Sequence, residues 1–372
     1  MGHPHSSGFQ HYAALDGVRG LAVLAVVLHH VTARVPGGFL GVDVFFVLSG
    51  FLITTLLLKE HARDGDVDLR AFYVRRVLRL MPASLCALLL GGLAVASIGS
   101  DAGAMPYSRC VAAVMLYASN WVTAFDPNAM GILGHTWSLS IEEQFYLVWP
   151  LLFWRLLRSR VSSGALLGGL LAVVGASTAF RLWAQAAQWS TSIIYMHTAA
   201  RLDGLSLGCA CAVLLDRRPD GALVRGLSHP LSAVLSAGLL AVGALTVHRD
   251  TGPGWVLAIS LANLAAASLV LFSVRADTTH SLLGRLLSWR PLVVVGQRSY
   301  GLYLYHLIIL RWMLPPPGVR PPVWQLGAAL LVTVLVTEGL FRWVERPILG
   351  LRSAALRLVR AGARVEPKAR PE

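Results

Sequence analysis

Residues 15–33 read LDGVRGLAVLAVVLHHVTA, and this stretch decides the fold class. Nineteen residues of helix come close to the ~20 needed to cross about 30 Å of hydrocarbon. The centre of the stretch carries no charge, while Asp16 and Arg19 lie near one end and His29 and His30 near the other. Similar apolar stretches recur along the chain. Ten are expected to span: 15–33, 39–58, 83–99, 137–154, 163–183, 200–215, 230–247, 255–274, 296–314 and 323–344. An eleventh, 109–125, carries Ser119, Asn120 and Trp121 and is expected to make no net crossing.

Composition agrees with this reading. The 372 residues are 55% hydrophobic and only 14% charged, whereas soluble domains carry about 25% charged residues. The formal net charge of +13 could suggest nucleic-acid binding, but the basic residues gather at span ends. Lys59, Arg63, Arg70, Arg75, Arg76 and Arg79 form one group, and Arg155, Arg158 and Arg160 the next. Arg217, Arg218 and Arg225 follow, then Arg275, Arg285, Arg290 and Arg298, and finally a tail rich in Arg from Arg346 onward. The intervening loops hold only Arg34, Arg109, Arg249, Arg311 and Arg320. Cytoplasmic loops of membrane proteins carry this excess. The expectation is an all-α polytopic membrane bundle of about ten helices with both termini cytoplasmic and no nucleic-acid partner. Its parts would be a cytoplasmic segment at 1–14, a transmembrane domain at 15–347 and a basic cytoplasmic tail at 348–372. Cys86, Cys110, Cys209 and Cys211 read as small packing residues. The C-x-C spacing of the last two does not fit usual zinc sites, and no metal is expected.

Ionisable groups within spans are costly and point to function by default. Arg19 and His30 are eleven residues apart, which places them on nearly one helix face about 16 Å apart. A neutral imidazole so placed is an available general base. Asp43, Glu142, Glu143, Asp203 and His306 fall, with His30, in the outer half of the membrane in the orientation above. Glu142 and Glu143 read either as site carboxylates or as structural partners of Arg181 or Arg201. Asp203 reads as a partner of Arg201, and His306 as either a site residue or a core histidine. Arg75, Arg76 and Arg79 read as positive-inside anchoring or as a phosphate site, since guanidinium forks bind phosphates bidentately. An inner Arg site beneath an intramembrane His suits a long donor with phosphates at one end and a reactive group at the other. Acyl-CoA is such a molecule.

Seven blocks in order carry a more specific signal: LDGVRGLAVLAVVLHH, GGFLGVDVFFVLSGFLIT, YVRRVLRLMP, HTWSLSIEEQFYLVWP, RLDGLSLG, GQRSYGLYLYH and RWVERP. Together they resemble the membrane-bound acyltransferase 3 family, from about Leu15 to Pro347. The resemblance is to a compact form without the C-terminal hydrolase-like domain of many larger relatives. It implies a cell-membrane, multi-pass O-acyltransferase that moves an acetyl or longer acyl group from acyl-CoA to a hydroxyl. The acceptor would be a glycan, a glycolipid or a macrolide. No bound cofactor is implied; acyl-CoA, acetyl-CoA foremost, is a co-substrate. The family's Arg…His pair falls on Arg19 and His30, its Arg-Arg-x-x-Arg motif on Arg75, Arg76 and Arg79, and its Glu-Gln-Phe-Tyr block on Glu143, Gln144, Phe145 and Tyr146. Its late Tyr-x-x-His falls on Tyr303 and His306. In the expected mechanism His30 is the base, Glu142 or Glu143 steadies it, and Arg19 assists. Arg75, Arg76 and Arg79 hold the donor phosphates. Asp43, Tyr303 and His306 meet the acceptor or the oxyanion. Two other classes compete: a proton-coupled transporter without acyl transfer, and a non-catalytic receptor or assembly factor.

Overall fold

The computed structural model describes residues 12–101, 103–249, 254–275, 281–315 and 319–351. Most of the expected N-terminal segment and basic tail therefore lie outside the described residues. Those residues are mostly helical, with no strand among them.

The chain runs through α1 (Ala13–Val31), α2 (Gly41–Asp64), α3 (Leu69–Ile98), α4 (Tyr107–Met115), α5 (Ser119–Phe125), α6 (Trp137–Arg158), α7 (Ser163–Ala186) and α8 (Thr191–Met196). It continues through α9 (Leu202–Arg217), α10 (Ala222–Leu227), α11 (Pro230–Thr246), α12 (Gly254–Ser273), α13 (Leu282–Leu287), α14 (Arg290–Gln297), α15 (Ser299–Met313), α16 (Val323–Leu340) and α17 (Arg346–Gly350). A π-helical turn, Phe341–Glu345, joins the last two. Among the described residues six segments are long and apolar enough to cross a membrane: α1, Gly38–Asp64, α3, α7, α12 and Val323–Gly350. Each of the other four expected spans is also helical, as α6, α9, α11 and α15. Residues 109–125 form two short helices, α4 and α5, instead of one. The break falls at Tyr117, whose φ of 54° is left-handed. Seven and nine residues of helix rise only about 10–14 Å, too little to cross.

Helix α3 begins well before the expected span. Asp68 caps it, its carboxylate accepting from the Ala71 N–H at 2.9 Å. The helix then runs through Pro82, so Arg75, Arg76 and Arg79 stand on its first turns and not in a loop.

Two compact units divide the chain. One comprises Met1–Arg63 and Arg155–Gln297, the other Asp64–Trp154 and Arg298–Glu372. In the first unit α2 and α12 are inner helices, mostly buried, whereas most of α7 is exposed. Helices α2 and α9 cross backbone to backbone. A Cβ on Gly208 would run into the Val47 carbonyl, and one on Gly50 into that of Leu205. Phe51, Leu207, Cys211, Ala266 and Val270 pack around the crossing. This approach brings Asp43 of α2 beside the start of α9. In the second unit α15 lies between α3 and α16, with Ala83, Ala87, Leu133, Leu304 and Ile308 in the core.

Gly208→Ala is expected to lower stability by about 1–3 kcal/mol, the usual cost of overpacking, read as a lower melting temperature of the purified protein in detergent. Gly175→Ala on α7, where a Cβ meets nothing within 4 Å, is the control and should not lower it. Equal melting of both variants would refute the α2–α9 contact.

Candidate active site

In the first unit, the end of α1 carries the two imidazoles. His30 Nδ1 lies 2.9 Å from the Val26 carbonyl. A carbonyl can only accept, so Nδ1 holds the proton, and Nε2 of the neutral ring is the basic atom. His29 Nδ1 donates to the Val35 carbonyl at 3.2 Å, and its ring meets Phe39 edge-on. Arg19, half-buried eleven residues earlier, lies 3.9 Å from the Asp16 carboxylate.

The buried charges of this unit pair differently from expectation. Arg181 and Arg201 are both wholly buried. Arg181 donates to Asp203 Oδ2 at 2.6 Å and to Ser260 Oγ at 2.7 Å. Asn263 Nδ2 donates to the same carboxylate oxygen at 2.9 Å. Asp203 thus pairs directly with Arg181, although Arg201 is only two residues away at the N-cap of α9. Arg201 lies 3.1 Å from Asp43 Oδ1 and covers the Tyr195 ring at 4.4 Å. Asp43, expected to face substrate, is almost wholly buried against this guanidinium.

In the second unit the Arg cluster splits. Arg76 NH2 donates to Glu143 Oε1 at 3.2 Å, and its guanidinium stacks on the Tyr146 ring. Its Nε is buried with no hydrogen-bond partner among the described residues, and an unmade hydrogen bond of this kind costs about 1–3 kcal/mol. Arg75 and Arg79, four apart, share another face of α3; Arg75 is half-buried and Arg79 exposed. Glu143, read as a possible partner of Arg181 or Arg201 or as the carboxylate steadying the base, is therefore engaged by Arg76. Glu142 beside it is half-buried. Gln144 of the same block donates to the Tyr117 carbonyl at 2.7 Å and to Asn120 Oδ1 at 2.9 Å. Ser119 and Ser140 share a hydrogen bond of 2.6 Å. These contacts clamp α5 onto α6.

Tyr303 and His306 come together with His135 and Ser138 of the HTWSLSIEEQFYLVWP block, to which the sequence reading gave no role. The Tyr303 hydroxyl donates to the His135 carbonyl at 2.9 Å and lies 2.6 Å from Ser138 Oγ. His306 Nδ1 donates to the Tyr303 carbonyl at 2.8 Å. The His135 and His306 rings meet edge-on, 5.8 Å apart. His135 Nε2 donates to the Leu304 carbonyl at 2.9 Å, and burial pushes this imidazole down to about 4. It is neutral at physiological pH. Its signal was the polar run His135-Thr136 directly before the α6 helix.

A cavity of about 50 Å³ lies in the second unit among α3, α4, α6 and α15. Its lining mixes Arg76, Ser84, Ser140, Glu143 and Tyr300 with Leu88, Leu133 and Leu304.

The profile of a family described as an acyltransferase domain, acyltransferase 3, matches residues 12–340. The chain belongs to this family. It is a multi-pass membrane protein. Two relatives show the extent of the similarity. The protein YrhL of Bacillus subtilis (strain 168), a candidate peptidoglycan O-acetyltransferase by name, is 32% identical over 92% of this chain and 56% of its own. O-acetyltransferase OatA of Staphylococcus aureus (strain NCTC 8325 / PS 47) is 33% identical over 90% of this chain and 56% of its own. The chain spans about half the length of these curated relatives. No solved structure is significantly similar to it.

Asp203→Leu should destabilise the protein by about 3–5 kcal/mol, because it leaves Arg181 buried without a counter-charge. The double variant Arg181→Met/Asp203→Leu should recover most of the loss. Melting temperatures in detergent test this, and equal melting of the single and double variants would show the pair to be uncoupled.

Proposed function

We propose that the chain is a membrane O-acetyltransferase that moves an acyl group from acyl-CoA to a hydroxyl of a cell-surface glycan. It crosses the membrane ten times, with both termini in the cytoplasm. Family membership and the relatives' names support the acetyl transfer and the glycan acceptor. The observation that carries the mechanism is the His30 Nδ1 bond to the Val26 carbonyl, which leaves Nε2 as the proton acceptor.

The donor's phosphates rest on Arg75 and Arg79, where guanidinium groups on one face of α3 offer charge and paired donors. Arg76 is held by Glu143 and so keeps its charge near the donor's arm. His30 Nε2 takes the proton of the acceptor hydroxyl. The hydroxyl oxygen bonds to the acyl carbon, the carbon–sulfur bond breaks, and the proton passes from the imidazolium to the leaving thiolate. Products are the ester and free CoA. Tyr303 and His306, within the cluster that includes His135 and Ser138, bind the acceptor. Arg19 assists donor binding.

The test is CoA release by the purified protein from acetyl-CoA across a panel of glycans and glycolipids. His30→Ala should lower acceptor-dependent release by about 10²–10⁴-fold while melting as the parent does. Undiminished release by that variant would remove His30 from the mechanism.

A further inference from the structure

We infer that Arg249 is a specificity-determining residue: its guanidinium receives a carboxylate or phosphate of the acceptor glycan, so that acidic glycans are preferred to neutral ones. This deepens the reading above and rests on it, since His30 is taken as the base.

Three connecting stretches of the first unit converge beside the two imidazoles of α1. Gly37, between α1 and α2, donates its N–H to the Ala244 carbonyl of α11 at 2.9 Å. A Cβ on Gly37 would run into the Gly243 carbonyl, so this stretch lies backbone to backbone on the end of α11. The Tyr195 hydroxyl donates to the Phe39 carbonyl at 3.3 Å, and the two rings meet edge-on at 5.5 Å. Arg249, just beyond α11, covers this junction. Its guanidinium lies 4.9 Å from the centre of the Tyr195 ring and 6.0 Å from that of Phe39. From there the contacts run on to the proposed base. The Phe39 ring meets the His29 ring at 5.7 Å, and His29 meets His30 at 5.3 Å. His30 is exposed and Arg249 half-buried, and the steps are short enough for one short oligosaccharide to reach from the imidazole to the guanidinium.

Charge sets Arg249 apart from its neighbours. Arg181 and Arg201 are matched by Asp203 and Asp43. Arg249 makes no ion pair and no hydrogen bond among the described residues; it is held by the two rings. A cation–π contact uses the flat face of a guanidinium, whereas its N–H groups point outward in the plane. Stacking therefore fixes the group and leaves its paired donors for an oxyanion. The sequence offers little competition for them. Residues 32–40, 187–200 and 247–254 carry Arg34 and Arg249 against a single acidic residue, Asp250, which lies outside the described residues. An acceptor that brings its own negative group meets this surplus. Anchoring that group at Arg249 restricts the sugar beside His30, and such positioning speeds transfer.

The test measures CoA release from acetyl-CoA by the full chain in detergent, against acceptors of matched length. These are neutral oligomers of N-acetylglucosamine, the same sugar alternating with glucuronic acid or N-acetylmuramic acid, and those acidic oligomers with their carboxylates converted to amides. Neutral oligomers bearing an anomeric phosphate test phosphate in place of carboxylate, and the series that shows the preference names the anion. The kcat/KM for an acidic oligomer is expected to exceed that for its neutral counterpart at least about tenfold, the worth of one charge-assisted hydrogen bond. KM carries the difference, and added salt shrinks it. Arg249→Gln should bring the ratio within about threefold, whereas Arg249→Lys should keep part of it. Melting temperatures verify folding; if Arg249→Gln does not fold, Arg249→Met, which keeps an apolar contact with the rings, takes its place. Equal turnover of acidic and neutral oligomers by the parent overturns the anion site and leaves the glycan reading standing. So does an acidic preference that survives in the folded variant. Release with none of the oligomers overturns the glycan reading and the anion site with it.

Discussion

Two guanidinium groups, Arg181 and Arg201, lie wholly inside the first unit of a membrane protein, and the unit is arranged around their neutralisation. An ion withdrawn from water must find its counter-charge and its hydrogen bonds within the protein. Arg181 draws together three helices: its own α7, α9 through Asp203, and α12 through Ser260. Arg201 draws in α2 through Asp43. The bare glycine crossing of α2 on α9 is what lets those last two groups approach. Packing and electrostatics are thus one constraint here, since the close backbone contact sets the ion-pair distance. The second unit repeats the pattern at lower burial, with Arg76 of α3 held by Glu143 of α6.

The pairings also sort the ionisable groups by availability. Groups locked in short, buried pairs serve architecture. Groups whose bonds fix a tautomer are candidates for chemistry. The Val26 carbonyl orients the ring of His30, the proposed base, and fixes its Nδ1–H tautomer. His306 shows the same logic on α15, its Nδ1 spent on the Tyr303 carbonyl. Hydrogen bonding to the backbone is a frequent means of defining which nitrogen of an imidazole acts.

Much of this was legible in the sequence. Apolar length located the long helices, and the spacing of Arg19 and His30 placed both on α1. The misreadings have particular causes. Hydropathy placed the third span from Ala83 because the preceding residues are basic; the helix in fact starts at Leu69, and the cue was the capping residue Asp68. The break at Tyr117 had no glycine or proline to announce it. Partners of buried charges could not be read at all. Asp203 looks adjacent to Arg201 in sequence, but tertiary contacts choose the pair. The same holds for Arg76, whose separation from Arg75 and Arg79 depends on a carboxylate 67 positions away.

The Asp43–Arg201 pair has a consequence for biogenesis. Its carboxylate enters the membrane with α2, and its guanidinium emerges from the ribosome roughly 160 residues later. At about 5–20 residues per second, Asp43 is without its partner for about 8–30 s. Arg181 waits only 22 positions for Asp203, a second or a few. The ion pair that ties α2 to the start of α9 therefore forms only after Arg201 has been made.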